Sequence, residues 1–121
     1  MIGTTLPLLA ALLIGFWWMR HAGQISVRQA RVLLHAGAQV IDVRTAGEFV
    51  AGHLRQAVNL PLNEIETQVT RRVDRKDRVL LLHCQSGARS RAAVRKLRAM
   101  GYESAFNMGS YARAKKITAG K

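Results

Sequence analysis

Cysteine occurs once in the 121 residues, as Cys84. A single thiol excludes an intramolecular disulfide, a CxxC redox pair and a cysteine-based metal cluster. It fits a reducing compartment, where thiols stay free. Acidic residues are also scarce: seven Asp and Glu stand against nineteen Lys and Arg, for a formal net charge of +12. Aromatics are limited to two Trp, two Tyr and three Phe, with no spacing that would stack successive bases, which argues against nucleic acid as the partner of the basic surface. Only two prolines are present, Pro7 and Pro61, so long runs of regular structure are uninterrupted. No internal repeat or low-complexity tract divides the chain.

Ionisable side chains are absent from Ile2 to Met19. Eighteen residues of helix span about 27 Å, close to the hydrocarbon thickness of a bilayer. Pro7 suits the first turn of a helix capped by Thr4 or Thr5, and Trp17 and Trp18 end the run where indole rings favour the interface. A cleaved signal peptide would need a basic segment before this run and small residues after it, and neither is there. The basic residues Arg20, Arg28 and Arg31 follow it instead. The expectation is a single-pass transmembrane anchor over residues 1–21, a tether over 22–25, and a domain over 26–121 held on the cytoplasmic side of a bacterial inner membrane.

Within that domain, Ser26-x-x-Gln29 has capping-box spacing and opens a helix over 26–36 that closes at Gly37. Gln39 to Val43 reads as a buried strand. Thr45-x-x-Glu48 is a second capping box, opening a short helix that stops near Gly52. A brief strand over 58–61 is followed by helical periodicity from Leu62 to Arg72 through Leu62, Ile65 and Val69. The run Val79-Leu80-Leu81-Leu82 predicts a central strand, and a helix over 89–100 capped by Gly101 comes next. A strand over 104–108 and a helix over 110–118 complete the chain. Alternating strands and helices imply an α/β fold, with a parallel sheet flanked by helices on both faces. Ligands of such sheets bind at the carboxyl ends of the strands.

Cys84-Gln85-Ser86-Gly87-Ala88-Arg89-Ser90 joins the end of the central strand to the next helix. Backbone N–H groups of a glycine turn at a helix N-terminus favour a thiolate or a bound anion there, and a neighbouring guanidinium adds to the effect. Cys84 is therefore the candidate nucleophile.

The sequence resembles the rhodanese-like domain family from Ser26 to about Lys116. The resemblance is carried by Ile41-Asp42-Val43-Arg44, Glu48-Phe49, Gly52-His53-Leu54, Asn59-Leu60-Pro61-Leu62, Cys84-x-x-Gly87-x-Arg89-Ser90, Leu97-x-x-x-Gly101-Tyr102 and Asn107-Met108-Gly109. It implies a rhodanese-like three-layer fold and a sulfurtransferase. Cys84 would accept a sulfane sulfur from a thiosulfate-like donor, carry it as a persulfide, and pass it to a thiol, cyanide or protein acceptor. Arg89 would hold the anionic donor, and Gln85, Ser86, Gly87, Ala88 and Ser90 would form the surrounding loop. Asp42 and Arg44 would support it, with Arg44 able to line the pocket. No cofactor and no metal are implied. Two positions depart from the family pattern, Gln56 where glycine is usual and Ser110 in the second position of a Gly-Gly pair.

The same fold serves phosphatases whose loop is Cys-x5-Arg. Four residues separate Cys84 from Arg89, and the shorter loop suits one sulfur atom better than a tetrahedral phosphate. His83 reads as structural. An alternative is a sulfur-relay module with little turnover, docking an acidic protein partner at the membrane. Residues 71–121 carry fourteen Lys and Arg against three Asp and Glu, and Arg91, Arg95 and Arg98 line one helix face. His21 and His35 are isolated and His53 belongs to the Gly-His turn, so no metal ligand set is present.

Overall fold

In the computed structural model, described over residues 7–14 and 23–120, four short strands form one parallel sheet in the order β2-β1-β3-β4. They are β1 (Gln39–Asp42), β2 (Ala57–Asn59), β3 (Leu80–His83) and β4 (Ala105–Gly109). Numbering residues 7–14 as α1, the helices that follow are α2 (Val27–His35), α3 (Ala46–Ala51), α4 (Ile65–Arg72), α5 (Ala88–Ala99) and α6 (Tyr111–Ala119). The three strands β1, β3 and β4 are largely buried on both faces, as a parallel sheet covered on both sides requires, while the edge strand β2 is half-buried.

Alternation along the strands sorts the core into two layers. Ile41, Leu80, Leu82 and Ala105 face α4 and α5, where they meet Ile65, Val69, Ala93, Val94 and Leu97. Val40, Leu81 and Met108 face the other way, onto Ala30 and Leu34 of α2 and Ala114 and Ile117 of α6. Arg31 joins the two helices of that layer, its guanidinium donating to the carbonyls of Lys116 and Ile117 at the end of α6. Tyr102 is buried against the opposite layer and donates its hydroxyl to the Val73 carbonyl at 2.9 Å, tying the end of α5 to the end of α4.

The helix boundaries follow the local signals, with informative exceptions. Thr45 and Glu48 make both arms of the predicted capping box. Ser26 makes one arm: its Oγ accepts from the Gln29 N–H, and its hydroxyl then donates to Gln29 Oε1. The segment predicted as one helix over 62–72 is a 3-10 turn, Leu62–Glu64, leading into α4. The Glu64 N–H donates to the Pro61 carbonyl three residues back, the bond that makes the turn 3-10, and the Leu62 N–H at its start is held by the Val43 carbonyl. Ser110, at a position where the family pattern has glycine, caps α6 by accepting from the Arg113 N–H at 3.1 Å.

Of the expected anchor over 1–21, residues 1–6 and 15–21 lie outside the described residues. Residues 7–14 are helical, and Leu8, Leu9, Leu12, Leu13 and Ile14 are each more than half exposed. Among the described residues no helix is long and apolar enough to cross a membrane. The expected tether over 22–25 overlaps the domain's own bonding. Ile25 donates its N–H to the Asn107 carbonyl at 2.8 Å, and its carbonyl accepts from Arg113 at 2.5 Å.

Candidate active site

β3 ends at His83, and the chain turns through residues 84–87 into α5 at the carboxyl edge of the sheet. Gly87 occupies the N-cap position with φ at +101°, a left-handed conformation that side-chain-bearing residues rarely adopt. It contributes no side-chain cap, so the first N–H groups of α5 are left to bind something else. They converge on sulfur. Cys84 is fully buried, and the Gly87 N–H donates to its Sγ at 3.0 Å. Burial pushes the thiol up, but hydrogen bonds from the Ser90 hydroxyl and from the N–H groups of Ser90, Gly87 and Ser86 outweigh it. The net direction is below the ordinary thiol value. Gly87→Ala is expected to destabilise the domain by about 1 kcal/mol from backbone strain and to slow alkylation of Cys84, read by thermal unfolding and iodoacetamide kinetics.

Ser90 is buried beneath the thiol, its Oγ 3.5 Å from Sγ, 3.1 Å from the Gly87 carbonyl and 2.6 Å from Asn107 Oδ1. A hydroxyl has one hydrogen, and the shortest contact is to Asn107. Asn107 in turn accepts from the Gly109 N–H at 2.8 Å and donates to the Gly87 carbonyl at 3.3 Å. It thereby ties β4 to the loop and to the first turn of α5. The Cys84 N–H donates to the Gly109 carbonyl, Tyr111 N–H to the Gln85 carbonyl, and Ser86 bridges to Ser110, so the loop is seated on the start of α6. Gln85, Ser86 and Ala88 are otherwise exposed.

Asp42 and Arg44 form a buried ion pair at the end of β1, with Nη2 2.7 Å from Oδ2 and Nε 3.0 Å from Oδ1. Arg44 also donates to the Gly52 carbonyl at 2.7 Å and to Gln85 Oε1 at 3.3 Å, and it lies over the Tyr111 ring, 4.3 Å from its centroid. One guanidinium thus joins α3, the cysteine loop and α6. Asn59 closes the same corner, donating to the carbonyls of Asp42 and Arg44. His83 is fully buried between Asp42 and Tyr111, its Nδ1 3.2 Å from the Cys84 carbonyl oxygen. Its Nε2 is 3.6 Å from Asp42 and has no hydrogen-bond partner. Burial holds the imidazolium below its usual pKa, so the ring is neutral near pH 7.

Arg89 has a partner that sequence reasoning did not assign. Its Nη1 and Nη2 donate to Glu48 Oε1 and Oε2 at 2.7 and 2.9 Å. Glu48 Oε1 also accepts from the N–H and hydroxyl of Thr45. The hydrogen bond from Arg89, followed by that from the Thr45 backbone, holds the Glu48 carboxyl down at about 2. Its contribution to stability is present above about 4.5 and is lost only as pH falls toward 2. Glu48, Asn59, Asn107 and Tyr111 are the contributors missing from the sequence-based set. Asn59 and Asn107 had a signal: asparagine is disfavoured in strands, and both lie at or near carboxyl ends, where such sheets place their chemistry.

Among the described residues no cluster of three or more His, Cys, Asp or Glu is placed to hold a metal ion. The arginine face of α5 is partly used within the fold, since Arg98 donates to the Ala105 carbonyl at 3.0 Å and lies over Phe106.

A family model described as Rhodanese-like domain matches residues 26–115. Thiosulfate sulfurtransferase 18 of Arabidopsis thaliana is 41% identical over 98 residues, covering 70% of this chain and 71% of that protein. Thiosulfate:glutathione sulfurtransferase of Homo sapiens is 31% identical over 107 residues, covering 77% and 93%. Among solved structures, a human single-domain sulfurtransferase superposes with a TM-score of 0.68 at 28% identity, covering 79% of this chain and 97% of that one.

Proposed function

Because the chain belongs to the rhodanese-like domain family, we propose that it is a thiosulfate sulfurtransferase-type enzyme that carries a sulfane sulfur on Cys84. The observation that carries this reading is the uncapped start of α5, whose N–H groups converge on Sγ, with Gly87 N at 3.0 Å. That arrangement stabilises a thiolate and then the terminal sulfur of a persulfide.

In the first step the Cys84 thiolate attacks the outer sulfur of the donor, and the donor's S–S bond breaks. From thiosulfate the leaving group is sulfite. In the second step an acceptor thiolate or cyanide attacks the persulfide's outer sulfur and Cys84 leaves as the thiolate. The N–H groups of residues 85–90 hold the negative charge in both directions. Ser90 can turn its hydrogen from Asn107 to sulfur as that charge develops. Asp42 and Arg44 keep the loop in place through Gln85.

The loop has four residues between Cys84 and Arg89, which favours one bound sulfur atom over a phosphate group. The apolar residues 2–19 support a membrane tether for the domain on the cytoplasmic side, tested by protease access in intact cells. The excess of basic residues over 71–121 supports an acidic protein partner. Intact-mass measurement before and after thiosulfate is expected to show one added sulfur atom, located on Cys84 and removed by a thiol. An unchanged mass with thiosulfate and with an organic persulfide would refute the reading.

A further inference from the structure

One layer of the domain carries charge of a single sign. α2 and α6 pack side by side on the sheet and hold Arg28, Arg31, Arg113, Lys115 and Lys116, with no Asp or Glu in either helix. The chain has no carboxylate side chain before Asp42 or after Glu103. Arg31 and Arg113 donate to main-chain carbonyls, which fix them in place and leave their charge uncompensated. Arg28, Lys115 and Lys116 are exposed, and Val32, 62% exposed, stands one turn after Arg28 on the outer side of α2. Asp77 shares a cavity wall with Leu33 and Ala36 at the end of α2, but Arg75 holds it at both oxygens. The opposite layer differs, since Glu66 of α4 and Lys96 of α5 pair across it.

This layer is also where the apolar N-terminal run joins the domain. Met19 ends that run four residues before Gly23, a reach of at most about 14 Å, and α2 begins at Val27. Gly23 packs against the Arg91 side chain, and the Gln24 amide fills the space that a side chain at Gly109 would need. The Gly109 carbonyl accepts from the Cys84 N–H, so the chain enters beside the cysteine loop. We infer that the outer face of α2 and α6 docks on an anionic phospholipid surface, with Arg28, Lys115 and Lys116 at the headgroups and Val32 among them. The inference rests on the membrane reading of this chain and not on the chemistry of Cys84. A lipid surface fits this face better than an acidic protein does, because the apolar run delivers the face to a bilayer. Each cation near an anionic surface strengthens docking about fivefold at low salt, and the attraction fades within a Debye length. Docking fixes the domain on its tether and keeps the edge that bears the cysteine loop close to the bilayer.

The test uses the full chain mixed with vesicles of phosphatidylcholine alone or with about 30% phosphatidylglycerol, at about 20 mM salt. Flotation measures the tether, and brief acetylation, read lysine by lysine with mass spectrometry, measures docking. On anionic vesicles Lys115 and Lys116 are expected to label more than about fivefold more slowly than on neutral ones, while Lys76 and Lys96 stay within about twofold. Raising salt to about 500 mM should erase the difference. Arg28→Gln should cut the protection about threefold and leave thiosulfate loading without vesicles unchanged. Flotation without that protection overturns the inference and keeps the tether. Equal protection of Lys76 and Lys96 overturns it as non-specific coating, and protection by polyglutamate but not by anionic vesicles assigns the face to an acidic protein instead. Flotation with anionic vesicles only, with Lys115 and Lys116 protected, upholds the docking face and removes the apolar run as an anchor. Flotation with neither removes both.

Discussion

Cys84→Ser is expected to leave no measurable sulfur transfer, a loss of more than about a thousandfold, with the fold intact. The exchange alters one buried atom in a site where the Gly87 N–H and the Ser90 hydroxyl can bond an oxygen as well as a sulfur. Stability should change by no more than about 1 kcal/mol. Chemistry changes far more, because a serine hydroxyl is essentially never ionised near neutral pH and an oxygen cannot form the S–S bond that stores the sulfur. Thiosulfate-to-cyanide turnover, together with thermal unfolding of both proteins, separates the two effects. In the wild type the loading rate should rise with pH and level off once the thiol is ionised. That plateau should begin below the ordinary thiol range, the direction set by the Ser90, Gly87 and Ser86 donors against burial. Retained turnover in the serine variant would refute the role of Cys84.

Asp42→Asn should have the largest effect on stability, about 3–5 kcal/mol, because it leaves the buried Arg44 guanidinium without its countercharge. For a domain of this size that corresponds to a melting temperature lower by more than about 12 °C. The loop should loosen as well, since Arg44 reaches Gln85, Gly52 and Tyr111 from a geometry that Asp42 imposes. Asp42→Asn combined with Arg44→Leu should be less destabilised than Asp42→Asn alone, because the unpaired charge is gone. A single variant that melts within about 2 °C of the wild type would show that the pair is not what holds this corner.

The carboxyl edge of the sheet joins these two results. Asp42 and His83 are register partners on neighbouring strands β1 and β3, so each residue that follows them projects into the same corner. β1 supplies Arg44 and, through the capped α3, Glu48; β3 supplies the cysteine loop. β4 sends Asn107 beneath that loop, and Ser110 starts α6 against it. Three segments far apart in sequence, β1–α3, β3–α5 and β4–α6, therefore meet around one sulfur atom.

Signals spanning a few residues determined the elements from the sequence alone. Thr45 and Glu48 form the capping box their spacing requires, Leu80 to Leu82 are buried on both faces, and Gly87 takes the positive φ needed where a strand turns into a helix. The cysteine at that turn, and the resemblance in the motifs around it, likewise depend on neighbours along the chain. Tertiary structure alone decided the electrostatics. Glu48 was legible as a cap for Thr45, but its second task lies 41 positions away on Arg89, and it exists because the strand order sets β1 beside β3. Arg89 was legible as a cation at the end of the loop, whereas its hold on Glu48 through both terminal nitrogens was not. Ser90 and Asn107 meet across 17 positions for the same reason. Caps and turns are set by bonds within a few residues of backbone, which a sequence displays directly. An ion pair is set by distance in space, and the sheet must form before that distance exists.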